Sequence, residues 1–258
     1  MATKNTTYTI TFGEVAENGI NMEQLGEKAE EGFSVSELLA ARTKFREAGY
    51  EAYYINLNKH CPEELNPPKA GVLLVKNGAT IGGNNINELL AEQDELEYDT
   101  TKIMRGKLVN SIARYNLCFA DYDQEPDIEN GKGTVVNFDD LPALSSLRQA
   151  LPDYLGEKAR DLYGEGNKYY DIKKCGIGYH GDTERRIVIG VRLGEPMDLA
   201  YLWYYAYKPV GERVMITLDP GDMYVMSDKA VGYDWKKKLI PTLRHSAGCD
   251  KYTKIPVK

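Results

Sequence analysis

The chain opens on an alternating stretch, Thr-Tyr-Thr-Ile-Thr-Phe at residues 7–12, whose period of two and β-favouring residues predict a first strand. Ser34-Val-Ser-Glu37 is a capping-box pattern, so a helix is expected from there to about Ala48, with Gly49 stopping it. Residues 50–58 and 71–76 read as two further strands, Asn77-Gly78 as a turn and residues 86–93 as a short helix. Residues 98–130 are irregular and polar. Leu144, Leu147, Leu151 and Leu155 then recur at helical spacing within a helix expected over residues 138–156. Beyond Tyr170 the texture becomes all-β. Residues 186–193, 200–207, 213–218 and 223–226 are β-branched or aromatic runs separated by Gly and Pro turns, which predicts a sandwich or barrel. The fold class is therefore α+β: a small α/β module over residues 1–96, in which no motif for chemistry stands out, and a β-rich domain over residues 97–258.

Composition adds limits. At 258 residues, with 42% hydrophobic and 28% charged positions, the chain has ample material for a core. No run approaches the roughly 18 apolar residues that cross a bilayer, and the N-terminus has no apolar signal region. No membrane partner is expected, and an intracellular location, cytoplasmic or nuclear, is. Cys61, Cys118, Cys175 and Cys249 form no CxxC pair, which argues against zinc and against a disulfide framework. The net charge of −7 is uneven, −8 over residues 1–104 and +1 over the remainder, so a polyanion would have to approach the C-terminal part.

Candidate chemistry concentrates in Gly-Ile-Gly-Tyr-His-Gly-Asp at residues 176–182 and in Arg-His-Ser-Ala-Gly at residues 244–248. Of three histidines, His180 and His245 fall here, while His60 sits in a polar loop segment. His180 and Asp182 are two apart and share one face of an extended strand. His245, delivered from a later strand, would complete a 2-His-1-carboxylate set. That set suits Fe(II), because three ligands on one face leave positions open for substrate and oxygen. Arg192 interrupts the apolar run Ile187-Val-Ile-Gly-Val-Arg-Leu193, where an unpaired guanidinium is costly. It calls for an internal carboxylate or for a bound dicarboxylic acid, which Arg grips with two prongs. Alternation puts Arg192 on one face with Val188 and Gly190, where Gly190 would leave room for a ligand. Lys254, on a possible last strand, is a second candidate for the same anion.

Several motifs recur in order: Arg114-Tyr-Asn-Leu-Cys-Phe-Ala-Asp, Leu141-Pro-Ala-Leu, Asn167-Lys-Tyr169, Gly-Tyr-His180-Gly-Asp182-Thr-Glu184, Arg192-Leu-Gly-Glu-Pro, Pro220-Gly-Asp-Met-Tyr-Val-Met and Arg-His245-Ser-Ala-Gly. Together they resemble the AlkB-like Fe(II)- and 2-oxoglutarate-dependent dioxygenases, over about residues 114–248. The resemblance implies a double-stranded β-helix (jelly roll) catalytic domain with His180, Asp182 and His245 on the iron. It implies that Asn167 and Tyr169 contact 2-oxoglutarate. Tyr170 is an alternative, because the gap to His180 is slightly longer than in the family. Glu184, with Arg185 beside it, is implied at the substrate. One departure stands out: Lys251, Lys254 and Lys258 follow His245 where the family carries an Arg-rich strand, which raises the standing of Arg192 as the carboxylate anchor. The implied activity is O2-dependent hydroxylation or demethylation of a methylated or alkylated nucleobase, single-stranded or flipped out, in DNA or RNA. Lys173, Lys174, Arg185, Arg186, Lys236, Lys237 and Lys238 would follow its phosphates. Alternatives are a protein side-chain or small-molecule hydroxylase and a non-catalytic jelly-roll binding module.

Overall fold

A computed structural model describes residues 5–19 and 22–255. Strand β1 (Thr7–Gly13) leads into a hairpin of β2 (Val15–Glu17) and β3 (Gln24–Gly26). Helix α1 (Val35–Glu47) starts at the expected capping box: Ser34 Oγ accepts the Glu37 amide, and the Glu37 carboxylate accepts the Ser34 amide. Gly49, at φ +91°, ends it in a left-handed conformation that glycine adopts without strain. β4 (Ala52–Asn56), β5 (Gly71–Val75) and α2 (Ile86–Glu95) follow the hydrophobic pattern. The polar stretch expected to be irregular holds more order than that: a hairpin of β6 (Thr101–Met104) and β7 (Lys107–Asn110), then β8 (Tyr115–Ala120); β9 (Val135–Asn137) comes after it. Helix α3 (Pro142–Leu155) buries Leu144, Leu147, Leu151 and Leu155. Then come β10 (Tyr163–Tyr169), β11 (Gly176–His180), β12 (Ile189–Gly194), β13 (Met197–Tyr205), β14 (Lys208–Leu218), β15 (Met223–Met226), helix α4 (Asp228–Val231), β16 (Thr242–Gly248) and helix α5 (Asp250–Thr253).

The result is a mixed α+β structure dominated by two sheets. The larger has the order β4-β5-β15-β12-β1-β10-β8-β9 and the smaller β11-β16-β13-β14. On one face of the larger sheet, Ile10, Phe12, Val191 and Leu193 pack against Leu38, Phe45 and Leu147 of the helices. On its other face, Val188 and Met226 share a second cluster with Leu199, Trp203, Ile216 and Leu243 of the smaller sheet. From β10 to β16 the strands pass back and forth between the two sheets, only β13 and β14 being successive in one. No helix among the described residues is long and apolar enough to cross a membrane.

A boundary at residue 96 does not divide this architecture. β1 lies in the middle of the larger sheet, antiparallel to β10 and β12, with Thr9 opposite Asn167 on one side and Arg192 on the other. β5 joins the same sheet through β15. The physical reason is visible in β1, which is buried at all seven positions. A strand covered on both faces must pair its amides and carbonyls along both edges, and only the C-terminal strands supply those edges.

Candidate metal centre and its cavity

His180 and His245 are register partners across β11 and β16, following a register irregularity between Ile177 and His180. Their ring centroids are 4.4 Å apart. Asp182 lies just past the end of β11, its amide donating to the Val231 carbonyl at 3.0 Å. Gly181 makes this closeness possible, since a Cβ there would stand 2.1 Å from the Gly232 carbonyl oxygen. Asp182 Oδ1 is 3.4 Å from His180 Nε2 and 3.5 Å from His245 Nε2. The three ligand atoms fall within 4.8 Å of one another, a group that could bind a metal.

Its protonation fits that use. His180 Nδ1–H donates to the Gly178 carbonyl at 2.8 Å, which leaves the Nε2 lone pair facing Asp182 and His245. Burial, then His180 beside it, pulls the His245 pKa below the usual histidine value despite Asp182 nearby, so the ring stays neutral. Burial alone would raise the Asp182 pKa. His245, His180 and Arg185 outweigh it and hold the carboxyl well below its ordinary value. Two imidazoles and a carboxylate are a donor set a divalent transition metal takes.

The group opens into a cavity of about 740 Å³ between the sheets. Arg192 lines it at 1% exposure. One Nη donates to the Thr9 hydroxyl, Nε has no partner, and among the described residues the guanidinium makes no salt bridge. The internal carboxylate weighed from sequence is not found. Strand alternation holds, with Val188 on the cavity side and Ile187, Ile189, Val191 and Leu193 on the helix side. Gly190 serves another end: a Cβ there would lie 2.0 Å from the Tyr224 ring, so its space belongs to that phenol and not to a ligand.

The other expected residues divide. Tyr169 lines the cavity, and Tyr170 does not: its hydroxyl donates to the Ile112 carbonyl at 2.8 Å and its ring stacks on Tyr115. Lys254 is exposed just beyond α5 and lines no part of the cavity, because the chain after β16 turns into a helix rather than a strand. Lys258 lies outside the described residues. Arg185 is no rim cation. It is 4% exposed and bonded to Glu165, with Nε 3.6 Å from Asp182 Oδ2 and Nη2 3.3 Å from Glu184. Glu165 Oε1 accepts from Asn167 Nδ2 at 3.1 Å, and Asn167 Oδ1 accepts from Arg114 Nε and from Asn116. A continuous polar chain thus runs from Asp182 through Arg185, Glu165 and Asn167 to Arg114. Glu184 lines the cavity, and burial, reinforced by Asp182, pushes its pKa up to about 7. Arg186 is held by Asp228 and stacked on Tyr233, and Lys174 is paired with Asp171 at 3.0 Å. Lys236 stands at the cavity.

Sequence reasoning missed Thr9 and Thr11 of β1, Glu165, Lys102, Arg105 and Tyr224, all of which line the cavity. The signal for the threonines was present. Thr7, Thr9 and Thr11 alternate with Tyr8, Ile10 and Phe12, and such small polar side chains suit the wall of an internal chamber.

No family model matches the chain. It is 46% identical over 249 residues to the uncharacterized protein R156 of Acanthamoeba polyphaga mimivirus, an alignment covering 96% of this chain and 98% of that one. By that identity over nearly the whole of both sequences, the chain belongs to one family with this mimivirus protein.

Proposed function

We propose that the protein is an Fe(II)- and 2-oxoglutarate-dependent dioxygenase. The observation that carries this reading is the pairing, in one cavity, of a His-Asp-His group with a buried guanidinium that has no carboxylate of its own. His180, Asp182 and His245 would hold the iron, and Arg192 would hold the far carboxylate of 2-oxoglutarate, with Thr9, Tyr169 and Tyr224 around it. When bound, the metal and cosubstrate together supply oxidation of a C–H bond by O2, which on an N-methyl group ends in release of formaldehyde. The chain's own part is to keep the His245 imidazole neutral, to orient the His180 ring through the Gly178 carbonyl, to fix Asp182 through Arg185, and to shield the chamber between two sheets. The passage of the strands between sheets supports a jelly roll whose eighth strand, β1, comes from the other end of the chain.

The preferred substrate is a methylated or alkylated nucleobase in a single-stranded or flipped-out nucleotide. The test is Fe(II)-dependent conversion of 2-oxoglutarate to succinate, with methylated oligonucleotides and peptides as alternative substrates followed by mass spectrometry. Succinate with wild type and none with Asp182→Ala supports the reading. Metal binding without succinate formation would leave a non-catalytic binding module, and mass loss from peptides alone would move the substrate to protein.

A further inference from the structure

Among the described residues, two half-buried cations of the cavity wall make no salt bridge. They are Lys102 on β6 and Arg114 just before β8. Among the same residues Lys102 Nζ donates no hydrogen bond, and Arg114 engages only Nε, on Asn167, leaving both Nη groups free. They are close enough to feel each other: burial, then the charge of Arg114, lowers the Lys102 pKa. Of the cavity carboxylates nearby, Glu165 is paired with Arg185 and accepts from Asn167, and Glu17 accepts from the Gln24 amide at 2.9 Å; neither makes a salt bridge to Lys102 or Arg114. Two like charges brought together and partly stripped of water cost free energy that an anion between them would offset.

Their setting narrows the anion. Arg114 is fixed relative to the metal group by the polar chain through Asn167, Glu165 and Arg185. Lys102 hangs from a two-stranded hairpin, closed by Arg105 and Gly106 at φ +52° and +72°, that also brings Ile103, Met104 and Arg105 to the cavity. Met104 is 48% exposed, an apolar surface beside the charges. A planar fork and a point ammonium facing one cavity match an anion such as a phosphate, and Met104 leaves apolar surface beside it for the group that carries the anion. Arg192, deeper and fully buried, is a separate anion site.

We propose that Lys102 and Arg114 form an anion subsite for the phosphate of a nucleotide substrate. The proposal rests on the preceding reading in taking this cavity as the chamber of a nucleotide substrate. Full-length protein, free of metal and 2-oxoglutarate, is titrated calorimetrically with adenosine monophosphate, adenosine and a five-nucleotide single strand. The expected result is that the monophosphate binds at least tenfold more tightly than adenosine. Lys102→Ala, which removes no hydrogen bond and so spares the fold, should weaken the phosphate-bearing ligands about tenfold. It should also flatten the single-strand salt dependence by roughly 0.7 in log–log slope, one phosphate contact. Arg114→Gln should weaken the same ligands and not adenosine. A single strand more than tenfold tighter than the monophosphate assigns the phosphate to a polynucleotide backbone, and equal affinities assign it to a free nucleotide. Equal binding of adenosine and its monophosphate, no binding of either, or unchanged affinity in Lys102→Ala overturns the subsite. Because the titration contains no metal or cosubstrate, it stands or falls independently of succinate formation.

Discussion

Replacing Arg192 by methionine separates what that residue does for the fold from what it does for a ligand. In the ligand-free protein the guanidinium is 1% exposed, makes one side-chain hydrogen bond, to Thr9, and leaves Nε unpaired. A buried orphan donor costs about 1–3 kcal/mol, and the Thr9 bond returns about 1 kcal/mol. Methionine removes both and places a flexible apolar chain beside Val188 and Leu199, which already line this wall. Exchanging an unpaired buried charge for packed apolar atoms is neutral to stabilising. The ligand-free variant should therefore match or exceed wild type by about 1–2 kcal/mol, a rise in Tm of about 2–8 °C for a chain of this size. With ligand the order reverses. Wild type should gain about 2.7 kcal/mol from 2-oxoglutarate at a hundred times its Kd, and the variant, lacking the proposed carboxylate partner, should gain close to none. Thermal denaturation of both proteins with and without 2-oxoglutarate, in the presence of a redox-inert divalent metal, reads both effects at once. A ligand-free variant destabilised by more than about 2 kcal/mol, or one that keeps the full ligand shift, would show that Arg192 is a structural residue and that the anchor lies elsewhere.

Three further outcomes follow from the metal group. Asp182→Ala should abolish stoichiometric metal binding, measured by elemental analysis after dialysis, while leaving Tm within a few degrees, because Arg185 keeps Glu165 and Glu184; a retained equivalent of metal counts against the triad. Gly181→Ala should cost about 2–3 kcal/mol and weaken metal binding with it, since its Cβ would meet the Gly232 backbone; near-wild-type behaviour in both respects means the loop relaxes freely. Metal affinity should hold at and above pH 7 and fall on acidification: His245 and Asp182 both have folded-state pKa values shifted down, so their deprotonated forms persist until the pH drops through those lowered values. Affinity that stays constant down to pH 4 would exclude histidine ligands.

The parts of this molecule that sequence makes readable are those set by near neighbours. The α1 capping box is a four-residue event, and it forms as written. The α3 leucines bury because helical spacing alone decides their face. His180 and Asp182 are close in sequence and in space, although Asp182 stands just past the end of β11 and not on the expected strand, and Arg192 is conspicuous because one charge in an apolar strand has to be explained. Lys254 is expected on a possible last strand, whereas the local residues Asp250 to Thr253 fold as a helical turn.

What sequence concealed is the work of long-range pairing. Thr9 and Arg192 are 183 positions apart, yet Thr9 is the one side chain that hydrogen-bonds the Arg192 guanidinium among the described residues. Nothing in residues 7–12 names a partner strand. A pattern with apolar residues on one face and threonines on the other fits an exposed edge of a small module as well as the centre of a large sheet. Strand count breaks that tie in three dimensions. The strands from β10 to β16 leave an opening between β10, which carries Asn167 and Tyr169, and β12, which carries Arg192, and β1 fills it with both edges paired. Its threonines then complete the chamber wall between the polar chain leading to Asp182 and the buried guanidinium. An arginine already on β12 faces the same space, so the proposed carboxylate anchor does not call for a basic strand after His245.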